Sequence, residues 1–498
     1  MQNANQSGSA LKPSLPSPHG SLGGYGGQFK VSGFTGAGEV SFGGLHYSIQ
    51  AGNGEYGFGF GTTNGNGIAR STHRHTPTFD DELDSFELDG SLLVPLLDDA
   101  GVRVIKYGIL VQESFTLADG TTTQTWVTPQ LADVEGSNPY LVRQYRPRNE
   151  SHYAQIYYWK YIDLENLPTD TPSSFWQVIA ADNSVSYYGV SDLAKVGDRD
   201  EDGDIQPERV CTWLMQEHLD AMGHCQLTKY QQEDTTGVDM TSNPEQNHIH
   251  HNKLYLDRIC SGHTTPLPAS LSLTLHSTLD TSSGYEPDWF FETVWDYGQY
   301  DILDLDNQAI YTPAGTWTKR LDSHSTFVGG FEVRCHRLCR NVLEFHRFPE
   351  EDVFQISGGG TTPLLHSVTS YFYDESEVCT LLRASHQVGY YWNGSSYDTK
   401  YTTPVEMTYA EFEPKPDDTE RPYRSILVQL NDDDTSGPAM SALGIIQDFM
   451  PVDLYGEGIE GFLASDGQEA YYYQLDWSSI WDTEADTTKL VLWGLNKL

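Results

Sequence analysis

Four aspartates are the residues of this sequence best spaced to bind a cation. They occupy every second position of the segment DRDEDGDI: Asp198, Asp200, Asp202 and Asp204. Oxygen ligands at this spacing can converge on one hard cation, and Gly203 stands where a calcium loop makes its sharp turn. Glu208 only approximates the position of the closing acidic ligand, and a solvated acidic turn explains the same sequence. The four aspartates are therefore candidate calcium ligands, and both interpretations stay open.

A second motif with potential chemistry is GNGEYG at residues 52–57, which has the spacing GxGxxG. A dinucleotide site needs a helix directly after this motif, because the N-terminus of that helix binds the pyrophosphate. The residues that follow, FGFGTTNGNG, cannot form a helix. The sequence instead predicts closely spaced strands. The aromatic side chains expected to pack across them are Tyr47, Tyr56, Phe58 and Phe60.

Histidines and cysteines supply two further groups of metal-ligating residue types. The first group lies close together in the sequence: His248, His250, His251, Cys260 and His263. Its centre, NHIHHN, follows no standard zinc spacing and falls in a polar loop. In the second group, Cys335, Cys339 and His346 lie on one alternating run, and a strand directs His346 to the face opposite the cysteines. The sequence therefore predicts no zinc site in either group.

Two pairs of glutamates have the spacing of the catalytic pair of ADP-ribosyltransferases: Glu375 with Glu377, and Glu411 with Glu413. The chain holds 70 acidic residues, so such pairs are expected by chance, and the Ser-Thr-Ser strand of those enzymes is missing. The motifs GxSxG, HExxH and Walker A are missing as well. The residues thus predict no enzyme and, apart from the calcium loop, no cofactor.

The elements that carry these residues have the patterns of short β-strands. Aromatic residues make up 12% of the 498 residues and glycines number 46, while helical periodicity is scarce. Alternating apolar segments end at Asp-Gly or Asp-Ala-Gly turns, as in SFELDGSLLVPLLDDAGVRV. The stretch LMQEHLDAMG has a helix-like pattern, but a turn at residues 220–223 between strands CTWLMQEHL and HCQLTKYQQ is favoured. The sequence predicts a large all-β fold with more than one unit.

The charge balance limits the partners of this chain. With 29 basic and 70 acidic residues the formal net charge is −41, which repels nucleic-acid phosphates and anionic membranes. Six cysteines in so long a chain do not form a disulfide scaffold. Residues 1–20 lack the apolar core of a signal peptide, and no run of about eighteen apolar residues could span a membrane. We expect no nucleic acid as a partner and no membrane insertion.

Segments in a fixed order carry a resemblance to one family. They are SLGGYGGQFKVSGFTGAGEVSF, AGNGEYGFGF, TPTFDDELDSFELDG, VRQYRPRNESHYAQI, FWQVIAADNSVSYYG, RVCTWLMQEHLD and FETVWDYGQYD. Over residues 16–409 the chain resembles the N-terminal domain of the Salmonella virulence plasmid B protein (SpvB) and of the B component of insecticidal Tc toxins. The tail segment VDLYGEGIEGFL is similar to the start of an FG-GAP-type β-propeller.

The resemblance implies a fold and a set of partners. In Tc toxins the B component and the N-terminal part of the C component close into a hollow β-sheet shell around a toxic segment, and the propeller docks onto the pore-forming A component. In the Salmonella protein the same domain precedes an ADP-ribosyltransferase. Together with the composition, the resemblance predicts a disordered leader at 1–20, an antiparallel β-shell domain at 21–414, a linker at 415–441 and propeller-like strands at 442–498.

The predicted function is that of a structural shell. We expect a non-enzymatic component of a Tc-toxin-like secreted virulence factor, which leaves the cytoplasm without a classical signal peptide. Its expected partners are a C-component-like or cargo polypeptide and a pore-forming A component. Two alternatives stay open. One is an ADP-ribosylating toxin subunit, and the other is a calcium-dependent binding module that uses the four aspartates at 198–204.

Overall fold

A computed structural model describes the following residues: 28–31, 38–42, 44–48, 51–62, 67–73, 75–116, 123–149, 153–263, 267, 272–275, 289–306, 308, 310–351, 354, 361–409, 449–452, 461–465, 470–475 and 492–495. Contacts between residues divide the chain into two compact units. The first comprises Met1–Val31 and Ala37–Thr408, and the second comprises Ser32–Gly36 and Tyr409–Leu498.

Among the described residues, nine short strands open the first unit. They are β1 (Gln28–Val31), β2 (Gly38–Phe42), β3 (Leu45–Ser48), β4 (Asn53–Gly54), β5 (Gly57–Phe58), β6 (Phe60–Thr62), β7 (Gly67–Arg70), β8 (Phe86–Leu88) and β9 (Ser91–Pro95). Strands β1, β2, β3 and β6 form one antiparallel sheet, and β4 pairs with β5 in a tight hairpin.

The other described strands of the first unit are mostly longer. The next are β10 (Ile105–Thr116), β11 (Thr123–Ala132), β12 (Tyr140–Pro147), β13 (Gln155–Tyr161), β14 (Ser174–Ile179), β15 (Val185–Tyr188), β16 (Lys195–Arg199), β17 (Ile205–Leu219), β18 (Cys225–Gln232), β19 (Leu254–Ser261) and β20 (Phe291–Asp296). The last are β21 (Lys319–Val328), β22 (Phe331–Arg337), β23 (Asn341–His346), β24 (Leu364–Asp374), β25 (Leu381–Trp392), β26 (Tyr397–Tyr401) and β27 (Val405–Glu406).

Helical structure in the described residues consists of short turns, among them the 3-10 turns Leu164–Asn166 and Asp192–Ala194. None of these helices has the length and the apolar character needed to cross a membrane. Nineteen strands, β7–β20 and β23–β27, form one large sheet with antiparallel pairings. The predicted all-β, antiparallel fold class is confirmed.

The predicted hairpins are also present in this sheet. Strands β8 and β9 turn at Asp89 and Gly90, whose φ angles are 49° and 75°, as an Asp-Gly turn between twisted strands requires. Strands β17 and β18 pair as far as Leu219 and Cys225, so the turn between them lies within LMQEHLDAMGHC. That stretch is therefore strand and turn, and not helix.

Eight of these strands close into a ring of hydrogen-bonded neighbours. In order around the ring they are β7, β8, β9, β12, β13, β14, β15 and β17, and β17 pairs back with β7. Closure removes the free edges of these strands where they pair. A ring of about eight strands encloses only enough space for side chains, so bulky residues must fill it.

Aromatic side chains fill the interior of the ring. Phe86 is fully buried, and its ring centroid lies between 5.0 and 6.0 Å from those of four other aromatic rings. The four belong to Tyr145, Tyr158, Trp176 and Trp213. Edge-on and tilted contacts of this kind stabilise a core beyond the burial of apolar area alone. Each of the eight strands contributes at least one residue to this cluster.

Strand β13 is buried on both faces. Tyr158 lies in the cluster inside the ring, whereas Tyr157 and Trp159 point to the opposite face and belong to a second apolar cluster. In that cluster Trp159 stacks on Phe175 with 5.4 Å between ring centroids. Because both faces are covered, the strand sequence QIYYWKY is a continuous apolar run instead of an alternating one.

The long alternating run at residues 329–349, for which the sequence predicts a single strand, is two strands in two sheets. Strand β22 pairs with β21, while β23 pairs with β20 and β24 in the large sheet. Between them the Cys339 N–H donates a hydrogen bond to the Glu55 carbonyl at 2.9 Å. Local alternation cannot reveal a contact with a residue so distant in sequence, so the single-strand prediction is wrong.

The glycine-rich motif GNGEYG forms the β4–β5 hairpin, which is inserted among other strands of the first unit. Tyr56 is buried and accepts a hydrogen bond from Trp295 Nε1 at 2.9 Å. The Phe58 N–H donates to the Thr380 carbonyl at 2.8 Å, so backbone meets backbone directly. Strand β6 follows the hairpin, where a dinucleotide site requires a helix. The glycines therefore permit close packing of strands.

In the second unit the described strands are β28 (Phe449–Val452), β29 (Gly461–Ser465), β30 (Ala470–Leu475) and β31 (Leu492–Leu495). They form one antiparallel sheet in chain order. Four-stranded sheets are the repeating unit of β-propellers. The assignment of this region to a propeller stays a prediction with which the sheet agrees.

Replacing Gly57 by alanine tests how tightly the β4–β5 hairpin is packed. A Cβ atom at Gly57 (φ +84°) would lie 2.8 Å from the Thr380 carbonyl oxygen, whereas one at Gly90 (φ +75°) meets no atom within 4 Å. Both alanines bear the cost of a positive φ, about 1–2 kcal/mol, but only Gly57→Ala adds a clash worth about 1–3 kcal/mol. Urea unfolding should show the larger loss for Gly57→Ala, and equal losses for the two variants would contradict the close packing.

Candidate functional site

Of the four candidate calcium ligands, Asp198 lies near the end of β16, and Asp200, Asp202 and Asp204 lie in the turn between β16 and β17. Their carboxylates do not converge. Arg209 Nε donates to Asp198 Oδ2 at 2.7 Å. The Asp200 carboxylate accepts from the backbone N–H groups of Asp202 and Asp204 at 3.1 and 2.9 Å. Asp202 and Asp204 themselves are exposed. Within the described residues, the group of three potential ligands close enough to share an ion lies elsewhere in the fold.

The same turn occurs at three places with the sequence Asp-x-x-Gly-x: Asp98–Val102, Asp200–Asp204 and Asp220–His224. In each, the aspartate Oδ1 accepts from the N–H groups two and four residues later at 2.8 to 3.1 Å. The three glycines have φ between 78° and 87°. An aspartate that satisfies the backbone of its own turn explains Asp200 without an ion. Calcium binding at 198–204 stays a prediction. A calcium ion would have to compete with the backbone N–H groups for the Asp200 carboxylate.

The glutamate pairs do not form a catalytic pair in the described residues. Glu375 accepts a hydrogen bond from Arg340 NH1 at 2.6 Å, and Glu377 is exposed. Glu411 and Glu413 lie outside the described residues. Glu375 is therefore engaged in an ion pair.

A cleft of about 550 Å³ lies beside the ring strands β12 and β13. Several of its charged side chains are already engaged in ion pairs. Lys160 Nζ donates to Asp81 at 2.8 Å, and Arg143 NH2 donates to Glu82 at 2.8 Å. Asp81 also accepts from Arg70 NH2 at 2.6 Å. These ion pairs join the segment that follows β7 to the ring strands β7, β12 and β13.

A buried polar seam joins β22 to the loop that follows β18. All seven residues of β22 are buried, although four of them carry a carboxylate, guanidinium or imidazole group: Glu332, Arg334, His336 and Arg337. Their partners come from the loop at 233–252. Arg337 binds Glu233, and Arg334 Nε donates to Glu245 Oε2 at 2.6 Å. The ions of this polar seam neutralise one another, as the burial of charge requires.

Three side chains of the polar seam place ligand-type atoms together: Glu245, His250 and His336. His250 Nδ1 lies 2.9 Å from His336 Nε2, and the two imidazole rings face each other edge to edge, with 16° between their planes and 5.2 Å between their centroids. All three side chains are at most 3% exposed. Burial lowers the pKa of His250, and it lowers the pKa of His336 to about 3, so both imidazoles are neutral at neutral pH. The cluster is a buried pair of neutral histidines beside a carboxylate.

Sequence spacing does not find this cluster, because its members come from different elements. His250 belongs to the NHIHHN segment, but its described neighbours are Glu245 and His336, and not the cysteine and histidines nearby in sequence. Another member of that first group, His263, accepts a hydrogen bond from the Cys225 N–H at 2.9 Å. The available signal is the strand sequence FEVRCHR, whose ionisable side chains must find partners if the strand is buried.

The sequence profile of the family described as "Salmonella virulence plasmid 65kDa B protein" (SpvB) matches residues 35–348, more than half of the chain. The chain belongs to this family. Curated relatives are the mono(ADP-ribosyl)transferases SpvB of Salmonella choleraesuis and Salmonella enteritidis, each 28% identical over 350 residues. The alignments cover 70% of this chain and 51% of those proteins, so the chain spans about half the length of the curated relatives it matches.

Solved structures share the fold. The N-terminal domain of effector protein SpvB from Salmonella typhimurium strain LT2 has a TM-score of 0.52 at 25% identity, over 71% of this chain and 94% of that one. TcdB2–TccC3 has a TM-score of 0.61 at 24% identity, over 98% of this chain and 21% of that one. The Photorhabdus luminescens Tc holotoxin pore gives 0.62 at 24% identity, over 100% and 20%. The predicted resemblance to SpvB is confirmed by the family match, and the predicted resemblance to the Tc toxin B component is confirmed for the fold.

A calcium titration tests the aspartate turn. If calcium binds there, saturating Ca²⁺ raises the melting temperature of the wild-type chain, because a ligand that binds only the folded state stabilises it. Asp200→Ala should abolish that rise, whereas Asp220→Ala, which breaks a turn of the same geometry, should keep it. Both substitutions should lower stability by about 1 kcal/mol through loss of the turn cap. A flat titration of the wild-type chain would contradict calcium binding.

Acidification tests the neutral state of the histidines in the polar seam. The folded-state pKa of His336, about 3, lies below the unfolded value of about 6.5, so the folded state binds fewer protons between these values. The contribution of neutral His336 to the free energy of unfolding is therefore complete above pH 6.5. It is lost as the pH falls from 6.5 towards 3, by up to about 1 kcal/mol per pH unit. Urea unfolding measured from neutral pH down to pH 5 should show this loss.

Two histidine variants separate this effect from general acid sensitivity. His336→Gln should make the pH dependence above pH 5 flatter, in addition to lowering stability at neutral pH. His75→Gln should leave the pH dependence as in the wild type, because His75 is exposed. Every other titratable group is the same in the compared chains, so the difference in slope reports the substituted histidine. Equal slopes for the wild-type chain and His336→Gln would show that His336 is not held neutral.

Proposed function

We propose that this chain is a non-enzymatic wall component of a Tc-toxin-like secreted virulence factor, and that it helps to enclose a partner polypeptide. The observation that supports this most strongly is the 19-stranded antiparallel sheet, in a fold that aligns with TcdB2–TccC3 over 98% of the chain. Membership of the SpvB family supports a role in virulence. The role requires shape and stiffness, and no chemical step.

The packing of the sheet supports the role of a rigid wall. The ring of eight strands has a solid aromatic interior, and β13 is covered on its outer face as well. The polar seam ties the β21–β22 hairpin to the loop at 233–252 through buried ion pairs. A wall built this way keeps its shape without a bound ligand, since packed interiors resist deformation.

The transferase activity named for the SpvB relatives is not proposed for this chain. The name belongs to proteins of which the chain matches about half the length. Glu375 is bound to Arg340, and Asp81 of the described cleft pairs with Arg70 and Lys160. A catalytic glutamate needs a pocket in which it can reach a substrate. These contacts support a structural role.

The proposed partners are a C-component-like or cargo polypeptide and a pore-forming A component, and the proposed route is secretion without a classical signal peptide. The edges of the large sheet support a partner within the wall. Among the described strands, β11 pairs only with β10, and the end strand β26 pairs only with β25. An edge of this kind can accept a further strand from a second polypeptide or from additional residues of the same one.

Co-expression tests this function. The chain, produced together with a C-component-like polypeptide encoded beside it, should elute as a stoichiometric complex from a size-exclusion column. The enclosed segment should then resist a protease that digests it when the polypeptide is produced alone. An unrelated acidic β-protein in place of this chain is the control and should give neither result. A folded chain that does not associate, or an associated segment digested at the free rate, would refute the enclosing role.

A further inference from the structure

In the polar seam, three ligand-type atoms surround one point. His250 Nδ1 and His336 Nε2 are 2.9 Å apart, and Glu245 Oε2 lies 4.0 Å from the first and 3.9 Å from the second. The circle through three atoms with these separations has a radius of about 2.1 Å, the usual distance of zinc from imidazole nitrogen and carboxylate oxygen. We propose that Glu245, His250 and His336 bind a zinc ion at this point.

The outer nitrogens of the two histidines already have the partners that zinc-bound histidines use. His250 Nε2 lies 3.2 Å from the Glu245 carbonyl oxygen, and His336 Nδ1 lies 3.0 Å from Ser323 Oγ. With zinc at the inner nitrogens, Nε2–H of His250 donates to the carbonyl and Nδ1–H of His336 donates to the hydroxyl. Such hydrogen bonds fix the tautomer and the orientation of metal-bound imidazoles. Without zinc, one proton shared between the inner nitrogens occupies the same place.

The type of ligand and the surrounding charge select the ion. Two imidazoles and one carboxylate suit zinc, whereas Ca²⁺ and Mg²⁺ prefer sites made of oxygen. Arg334 Nε donates to Glu245 Oε2, and Lys319 Nζ lies 3.6 Å from Glu245 Oε1. The positive charges of Arg334 and Lys319 disfavour the binding of a metal cation beside Glu245. A metal ion is therefore retained only if it bonds strongly to the imidazole nitrogens. The second oxygen of Glu245 or a water molecule completes the coordination.

Zinc at this point fastens a loop to a strand. Glu245 and His250 lie in the loop between β18 and β19, and His336 lies in β22. A metal that binds the folded arrangement and not the unfolded chain adds its binding free energy to the stability of that arrangement. Because the three side chains are buried, the ion enters when the loop folds onto β22. This zinc site is independent of the proposed wall function, which needs only that the seam stays closed.

Metal analysis of the full chain tests the proposal. Protein produced with added Zn²⁺ and passed over a weak chelator should hold about one zinc per chain by inductively coupled plasma mass spectrometry. Glu245→Gln, His250→Gln and His336→Gln should each lower the zinc content at least tenfold. Ser323→Ala should weaken the zinc affinity by about 10–100-fold in a competition with a coloured chelator, because it removes only an outer hydrogen bond.

A second histidine pair supplies the matched control. His346 stacks on His366 with 4.0 Å between ring centroids, at another place in the sheet. His346→Gln should therefore leave the zinc content unchanged. X-ray absorption of the zinc-loaded wild-type chain decides the question even if the seam variants misfold, and it should show two imidazole nitrogens with oxygen at about 2.0–2.2 Å. No zinc above the buffer blank, a zinc environment without imidazole, or equal zinc in wild type and a folded His250→Gln/His336→Gln variant would overturn the proposal.

Discussion

Closure of the eight-stranded ring around Phe86 is the constraint on which the first unit depends. Aromatic side chains from four surrounding strands contact Phe86. The ring of strands therefore cannot open at any of these four strands without exposing aromatic surface. Arg70 places its guanidinium 5.0 Å from the centroid of Phe86 and donates to Asp81 and Asp84. The aromatic filling and the ion pairs of Arg70 therefore meet at the same side chain. The outward face of β13 then supports the second apolar cluster.

Buried ion pairs fix the position of the loop at 233–252 on strand β22. An apolar strand at β22 would accept many neighbours, but one that carries Arg334 and Arg337 must meet carboxylates at fixed places, because an unpaired buried charge costs several kcal/mol. Glu245 and Glu233 meet that requirement from the loop at 233–252. The seam thus determines which loop covers the β21–β22 hairpin, in addition to any stability it adds.

Much of the fold can be predicted from local pattern, and little of the candidate site can. The Asp89–Gly90 turn and the strands on either side of it follow from turn chemistry and alternation, which are properties of neighbouring residues. The break after β22 and the pairing of His250 with His336 depend on residues far apart in sequence. The recurrence of Asp-x-x-Gly-x at three hairpins is visible in the sequence, and it identifies the acidic segment at 198–204 as a turn before any ion is considered.

The proposed function gives this chain an architectural role without catalysis, although its curated relatives are named as transferases. Consumption of NAD⁺ by the purified chain, with and without an acceptor protein, tests that claim most directly. The account predicts no turnover above the buffer control, and the same result for Glu375→Ala and Glu411→Ala. Turnover that either substitution abolishes, in a variant that remains folded, would contradict it.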